Sequence, residues 1–164
     1  MSREREHNEE QGLEDTVVKV DRTAKVVKGG RRFSFGALVV VGDRRGTVGI
    51  GYGKANEVPP AVEKGIKEAK KHMHQLNLKG RTLPHHVIGR HGASKIVLVP
   101  AAPGTGVIAG NSARAVLELA GVADVLSKCY GSTSPKNVVK ATLKALLSLR
   151  SREQVEQLRG VKLT

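Results

Sequence analysis

The sequence has few of the residues that stabilise small secreted domains or anchor a chain in a membrane. Among its 164 residues there is one cysteine, Cys129, and no tryptophan. A single cysteine excludes an internal disulfide framework and fits a reducing cytosol. No run approaches the roughly 18 apolar residues of a membrane span, and the charged N-terminus lacks the apolar segment of a secretory signal. We therefore expect a cytoplasmic protein with no membrane partner.

Aromatic side chains are also scarce, and this limits the kind of nucleic-acid binder that the chain can be. The four are Phe33, Phe35, Tyr52 and Tyr130. Proteins that read single-stranded RNA need several stacking platforms, so recognition of folded RNA through its backbone and shape suits this composition better. Phe33 and Phe35 share one face of a strand, because side chains alternate along it. They form either a stacking pair or part of a core under the following helix.

Acidic residues are outnumbered, and those present are unevenly placed. The chain has 28 Lys and Arg against 15 Asp and Glu, which gives a net charge of +13. Its hydrophobic content of 39% is enough to form a hydrophobic core. Residues 1–15 hold six of the acids, whereas residues 16–45 hold eight basic residues and only Asp21 and Asp43. A field of this sign indicates a polyanionic partner. The basic segments lack the bulky apolar face that would lie in a bilayer, so nucleic acid is favoured over membrane.

The densest charge surrounds a pair of glycines in residues 25–35, KVVKGGRRFSF. Gly29 and Gly30 let the backbone take positive φ at a tip between two strands. The tip carries four cations and no acid: Lys25, Lys28, Arg31 and Arg32. Such a tip packs poorly against protein and suits contact with phosphates, although a charge run of this kind also occurs as a plain solvated hairpin.

Apolar patterning predicts a sheet and a helix in the first half of the chain. Buried or alternating runs predict strands over 16–21, 33–42 and 47–54. Between the last two strands, a glycine-bounded turn adds Arg44 and Arg45 at the other end of the sheet. With the helix that follows, these strands predict a three-stranded antiparallel sheet backed by one amphipathic helix.

The clearest helix covers residues 57–76, where two prolines suit the first turn. Its expected buried stripe is Val58, Val62, Ile66, Ala69, Met73 and Leu76. Its opposite side carries a basic row, Lys64, Lys67 and Lys71, and Lys54 ends the strand before it. On that strand, Gly49, Gly51 and Gly53 form a face without side chains. Such a face permits close approach by a ligand, a protein element or RNA.

A segment bounded by Gly and Pro at 79–84 predicts a domain junction, and a second α/β unit follows it. Its elements are expected as strands over 86–88, 95–99 and 124–130, helices over 112–120 and 135–149, and a weak helix over 152–159. Asn111 or Ser112 suits the cap of the first helix, and Ser134 suits that of the second. The second helix carries another basic row, Lys136, Lys140 and Lys144.

These patterns predict an α+β fold in two domains. The predicted divisions are a disordered acidic tail (1–12), a sheet-plus-helix domain (13–78), an α/β domain (79–150) and a C-terminal extension (151–164).

The most enzyme-like feature is a Gly-rich loop in the second domain. Gly104, Gly106 and Ala109 satisfy the spacing of a dinucleotide-binding loop, and Asp124 lies at a suitable distance for a ribose. Free amides at the following helix could also hold phosphate. Against catalysis, Pro103 interrupts the tight turn, Asp124 comes at the start of its strand rather than ending it, and no room is left for a substrate domain. The alternatives are a loop that fixes the helix against the sheet, or an RNA or protein contact.

Histidines could suggest a metal site. Five lie in the middle of the chain: His72, His74, His85, His86 and His91. Their spacings match no standard zinc pattern, and the single cysteine has no partner. No nucleophile motif of a hydrolase is present either. We therefore expect no metal, no cofactor and no enzymatic activity.

Seven sequence blocks carry a family resemblance. They are KVVKGGRRFSF at 25–35, ALVVVGD at 37–43, GYGKA at 51–55, EVP at 57–59, PAAPGTGVIAG at 100–110, RAVLELAG at 114–121 and YGSTSP at 130–135. Together they resemble protein five of the bacterial small ribosomal subunit, over about residues 13–160. The resemblance implies an N-terminal domain similar to a double-stranded-RNA-binding fold without its first helix. It also implies a left-handed β-α-β C-terminal domain, a type also found in some kinases.

The resemblance implies that the basic tip contacts small-subunit (16S) ribosomal RNA near the neck and head, where changes alter the response to spectinomycin. Combined with the basic rows, it leads us to expect RNA contact from Arg22, Lys25, Lys28, Gly29, Gly30, Arg31, Arg32, Arg44, Arg45, Lys54, Lys64, Lys67, Lys71 and Lys136. It implies contact with small-subunit protein four, which affects decoding accuracy, at Gly104, Gly106 and Arg114. Protein eight is the other implied neighbour.

The family also implies that basic residues assist in holding messenger RNA at the channel by which it enters the subunit. No homo-oligomer is expected. Two other functions stay open: a kinase-like enzyme that binds nucleotide at the Gly-rich loop, and a free-standing double-stranded-RNA-binding protein. The chain departs from the family pattern at Lys136, where relatives often carry an apolar residue, and in the tail before Leu13.

Overall fold

The computed structural model describes residues 12–162, so residues 1–11 of the predicted acidic tail lie outside the described part. The fold is α+β, as predicted, with two four-stranded sheets. The first sheet contains, in spatial order, β1 (Glu14–Val27), β2 (Gly30–Gly42), β3 (Thr47–Ala55) and β4 (Met73–Gln75). Neighbouring strands in this sheet are antiparallel. Helix α1 (Val58–Lys71) packs on one of its faces.

Two predictions for this half are wrong. The helix ends at Lys71 rather than near residue 76, and the residues after it form β4, so the sheet has four strands rather than three. The chain leaves the helix at His72, whose backbone lies at φ −116° and ψ 46°. Its N–H closes the last turn on the carbonyl of Ala69 at 3.1 Å. Leu76 is still buried, and apolar spacing alone therefore could not reveal the change from helix to strand.

The glycine face of β3 lies directly against α1. A Cβ added to Gly51 would collide with the carbonyl of Gly65 and the amide nitrogen of Ala69. The buried residues of α1 are accordingly small, Ala61, Gly65 and Ala69, while Val58 from the predicted stripe is exposed. Of the alternatives left open for this face, the close approach is made by a protein element, the backbone of α1.

The second sheet is mixed. Its spatial order is β5 (Val87–His91), β6 (Ser94–Pro100), β8 (Val125–Gly131) and β7 (Val107–Ile108). Helix α2 (Asn111–Leu119) connects β7 to β8, which run parallel, and so completes a β-α-β unit. Helix α3 (Pro135–Leu147) packs against β5 and β6, and α4 (Arg152–Arg159) follows it. The prediction of a Gly-rich loop missed β7, because two residues are too few to show a period.

Neither of the two predicted helix caps makes a side-chain capping hydrogen bond. Helix α2 follows Gly110 and has no side-chain cap, so the cap predicted at Asn111 or Ser112 is wrong. Ser134 occupies the N-cap of α3 but makes no capping hydrogen bond with its side chain. The weakly predicted helix α4 does form, and Ser151 and Gln154 give it a reciprocal capping box.

The two sheets share a core, which fixes the first sheet against the second half of the chain. Leu38, Val40 and Val48 lie in one buried cluster with residues of α2 and α3, such as Leu117 and Leu146. This cluster lies on the face of the first sheet that α1 leaves open. The first sheet is therefore buried on both faces over most of β2.

The turn between β2 and β3 joins the two halves through its backbone. Arg44 N–H donates to the carbonyl of Leu119 and Gly46 N–H to that of Ala120, both at 3.0 Å. Asp43 holds the turn by accepting from the N–H groups of Arg45 (2.7 Å) and Thr47 (2.9 Å). Burial favours the neutral acid, but these donors outweigh it and lower the pKa of Asp43 below its ordinary value.

Candidate nucleic-acid interface

The β1–β2 hairpin projects beyond the rest of the first sheet. β3 follows β2 only to the pair Phe35–Ala55, whereas the pairing of β1 with β2 continues to Val27–Gly30. Residues 23–34 are therefore a two-stranded extension, termed the basic arm. Its four cations, Lys25, Lys28, Arg31 and Arg32, are all exposed. Gly29 and Gly30 take φ of +89° and +152° at the tip, which confirms the predicted positive φ.

Like charges face each other across the arm. The register places Lys25 directly opposite Arg32, on one face of the hairpin. Such a pair destabilises a sheet, and residues 23–34 contain no acid to neutralise it. The next pair on that face, Thr23 and Ser34, is held by a hydrogen bond of 2.9 Å between its hydroxyl oxygens. The residues of the arm therefore leave its positive charge unneutralised, on a backbone that is well paired.

The two phenylalanines share the other face of the hairpin, and their environments differ. Phe35 packs against the small core under α1. Phe33 is 49% exposed, and the guanidinium carbon of Arg22 lies 4.6 Å from the centre of its ring. The two rings are therefore not equivalent: Phe35 is partly buried in the core under α1, and Phe33 is open to solvent.

Two further predicted cations lie near the base of the arm. Lys54 is opposite Gly36, which places it on the same face as Arg32 by strand alternation. Lys136, at the start of α3, places its Nζ 3.8 Å from the centre of the Tyr52 ring on that same face. The lysine that departs from the family pattern thus contacts an aromatic ring at the junction of the two halves.

The remaining predicted cations lie elsewhere. Lys64, Lys67 and Lys71 are exposed along α1, and the Nζ of Lys64 lies 3.5 Å from the carbonyl of Lys54. Arg44 and Arg45 occupy the β2–β3 turn at the opposite end of the sheet from the arm. The guanidinium of Arg44 pairs with Glu14, with Nε 2.9 Å from Oε2. The predicted residues therefore do not form one surface, since Arg44 and Arg45 lie at the far end of the sheet from the arm.

The Gly-rich loop is held by an acid instead of being open to a phosphate. Asp124 is 2% exposed, and its Oδ1 accepts from the N–H groups of Gly104 (3.0 Å) and Gly106 (2.9 Å). A nucleotide phosphate would need these amides, and the carboxylate both occupies them and repels it. Arg114, predicted as a protein contact, donates to the carbonyl of Val107 at 3.3 Å. The loop is built as a structural connection.

Replacing Asp124 with alanine is expected to destabilise the fold by about 2–4 kcal/mol, because two loop amides lose their acceptor. The matched Asp124→Asn variant keeps an acceptor oxygen and should lose less. Denaturant unfolding of both variants measures the difference, and hydrogen exchange at Gly104 and Gly106 should accelerate in the alanine variant. Wild-type stability and exchange in Asp124→Ala would contradict this role of the carboxylate.

Sequence patterning missed an apolar surface on the second sheet. Val99 pairs with Leu126, which pairs with Ile108, and all three side chains are exposed. Ile88 on β5 is exposed as well. The run at 95–99 is apolar at most positions and indicated a strand, but nothing in it distinguished the face that stays open. An uncovered apolar patch of this kind suits a protein partner.

The histidines make local contacts. His72 Nδ1 lies 3.0 Å from the carbonyl of Glu68, and His85 Nδ1 lies 2.8 Å from that of His86. Partial burial and the charges of two lysines on α3 lower the pKa of His91. Among residues 12–162, no three His, Cys, Asp or Glu side chains come together in a group that could hold a metal ion. Within the same range, no helix combines the length and apolarity needed to cross a membrane.

Comparison with known proteins agrees with the two-part fold. The family model for the N-terminal domain of ribosomal protein S5 matches residues 13–77, and the model for its C-terminal domain matches residues 89–159.

Three relatives are similar over most of the chain, and each is described as small ribosomal subunit protein uS5. The protein of Rhodopirellula baltica is 56% identical over 158 residues, covering 94% of this chain and 89% of the relative. That of Syntrophobacter fumaroxidans is 57% identical over 148 residues, covering 90% and 89%. That of Chromohalobacter salexigens is 55% identical over 157 residues, covering 94% and 95%. The resemblance found in the sequence is confirmed: the chain belongs to the ribosomal protein S5 family, whose members are structural proteins of the small ribosomal subunit and not enzymes.

Proposed function

We propose that this protein binds 16S ribosomal RNA through its basic arm and holds that RNA in the assembled small subunit. Family membership establishes the coarser role, a cytoplasmic structural constituent of the small ribosomal subunit. The observation that carries the finer proposal is the arm itself, which has four exposed cations, no acid and Lys25 opposite Arg32. Phosphates placed along the arm would neutralise a repulsion that the fold leaves in place.

Other cations extend the proposed RNA contact. Arg22, Lys54 and Lys136 continue it at the base of the arm. The row on α1, Lys64, Lys67 and Lys71, and the exposed Arg45 supply contacts on separate surfaces, so the protein would touch RNA on more than one side. Arg44 contributes less to this contact, since Glu14 already neutralises it. We propose that messenger RNA entering the subunit contacts one of these basic surfaces outside the arm.

The second half of the chain is proposed to face neighbouring proteins. The loop leaves open space beside Gly104 and Gly106, since a Cβ added to either glycine would meet no heavy atom within 4 Å. Ile108 continues this region as part of the apolar patch on the open sheet face. We propose that small-subunit protein four contacts the loop and Arg114, where changes would affect decoding accuracy. Protein eight is the second proposed neighbour.

Sedimentation of a cell lysate tests this placement. The full chain, carrying a small tag, should appear in the small-subunit peak and stay there after a wash at moderate salt. A free-standing double-stranded-RNA-binding protein would sediment with other RNA or near the top of the gradient. Absence from the small-subunit peak would overturn the proposal.

A further inference from the structure

We propose that Phe33, with Arg22 against it, is a stacking site for an unpaired base of the bound RNA. This inference rests on the proposed RNA binding and adds to it a contact that does not depend on charge. The ring belongs to the basic arm, lies next to Arg31 on the same strand face, and has about half of its surface in solvent.

The ring is open because its neighbours on the arm do not cover it. Its cross-strand partner is Ala24, whose methyl group is too small to shield an aromatic face. Arg22, which pairs with Phe35, reaches diagonally across the strands to place its guanidinium 4.6 Å from the ring centre. A flat ring beside a planar cation is the combination on which unpaired bases stack.

The fold does not use this ring to build its core. The last pair of β2 with β3 is Phe35–Ala55, so Phe33 lies one position beyond the supported sheet on its face. Phe35 joins the core under α1, and Phe33 does not. Because burial is what makes an aromatic side chain stabilise a fold, a half-exposed Phe33 contributes little there.

The affinity for full-length 16S ribosomal RNA, measured over a range of salt, tests the proposal. Phe33→Ala should weaken binding about ten- to a hundred-fold at every salt concentration. The slope of log K against log salt should not change, since no phosphate contact is lost. Phe33→Leu should weaken binding nearly as much, because it is apolar but has no ring. Val26→Ala, an exposed apolar residue on the same face, is the matched control and should bind like the wild type.

Three results would overturn the inference. One is unchanged affinity in Phe33→Ala. Another is an equal loss in Val26→Ala, which would indicate a general apolar contact. The third is a slope about one unit shallower in Phe33→Ala, which would mean that the ring only positions Arg22 on a phosphate. If the arm-cation variants lose affinity and Phe33→Ala does not, base stacking on Phe33 is wrong and RNA binding by the arm still holds. If neither kind of variant loses affinity, both the stacking site and RNA binding by the arm are wrong.

Fluorescence gives an independent readout because the natural chain contains no tryptophan. In Phe33→Trp, the one indole reports on the stacking site itself. Its emission should be quenched by 16S ribosomal RNA. Heparin, a polyanion without bases, should occupy the arm cations without quenching it. Equal quenching by both ligands, or by neither, would contradict base stacking.

Discussion

Replacing the four arm cations, Lys25, Lys28, Arg31 and Arg32, with alanine is expected to weaken binding to 16S ribosomal RNA by roughly three orders of magnitude at low salt. Each phosphate contact contributes about 0.7 to 0.9 to the slope of log K against log salt. Losing four contacts should therefore make the slope shallower by about three units. Titration of the purified variant against 16S ribosomal RNA at several salt concentrations measures both quantities.

A matched variant separates the arm from the overall charge of the protein. Lys79, Lys95, Lys128 and Lys162 lie outside the first sheet and its helix, and their replacement with alanine removes the same charge. This control should lose much less affinity. The arm variant should also keep its thermal stability, because it loses the repulsion between Lys25 and Arg32 and no buried contact. Equal losses in the two variants would mean that net charge, and not the arm, carries the binding.

Gly51→Ala is expected to destabilise the fold by about 3 kcal/mol or more, the range of a severe overpacking change. The new methyl group would meet the carbonyl of Gly65 and the amide of Ala69, and both of these are backbone atoms that no rotamer change can move. Accommodating it requires α1 to lift from β3, which would open the core around Ala61 and Ala69. Denaturant unfolding followed by circular dichroism measures the loss.

Gly110→Ala is the control for this prediction. A Cβ at Gly110 would meet nothing within 4 Å, and its φ of −69° suits any residue. Its stability should stay within about 0.5 kcal/mol of the wild type, the usual range for an unstrained surface change. If Gly51→Ala were as stable as Gly110→Ala, β3 and α1 would not be in backbone contact.

Much of the fold and of the basic arm was predictable, because each rests on local pattern. A continuous apolar run identified β2 and alternating residues identified β3. The glycine face of β3 identified a close approach, and Gly29 with Gly30 identified the tip. Charge counting alone separated residues 16–45 from the acidic segment before them. What local pattern could not identify was the partner in each close approach, since the backbone of α1 and a ligand would both suit Gly51.

Three of the failures share a cause, which is contact between residues far apart in the chain. Arg44 looked like a free cation until Glu14, 30 residues earlier, proved to pair with it. Asp124 lay at a plausible spacing for a ribose, and its actual partners are the loop amides of Gly104 and Gly106. β4 is three residues long and exists only because β3 pairs with it. Neither the charge pattern nor the apolar periodicity of a sequence reveals such pairings.

The salt dependence of wild-type binding to 16S ribosomal RNA tests the central claim most directly. If six to eight phosphates are neutralised by the arm and the surrounding cations, log K should fall against log salt with a slope of about −4 to −7. A flat response would contradict the account, because the contacts proposed here for the arm are predominantly ionic.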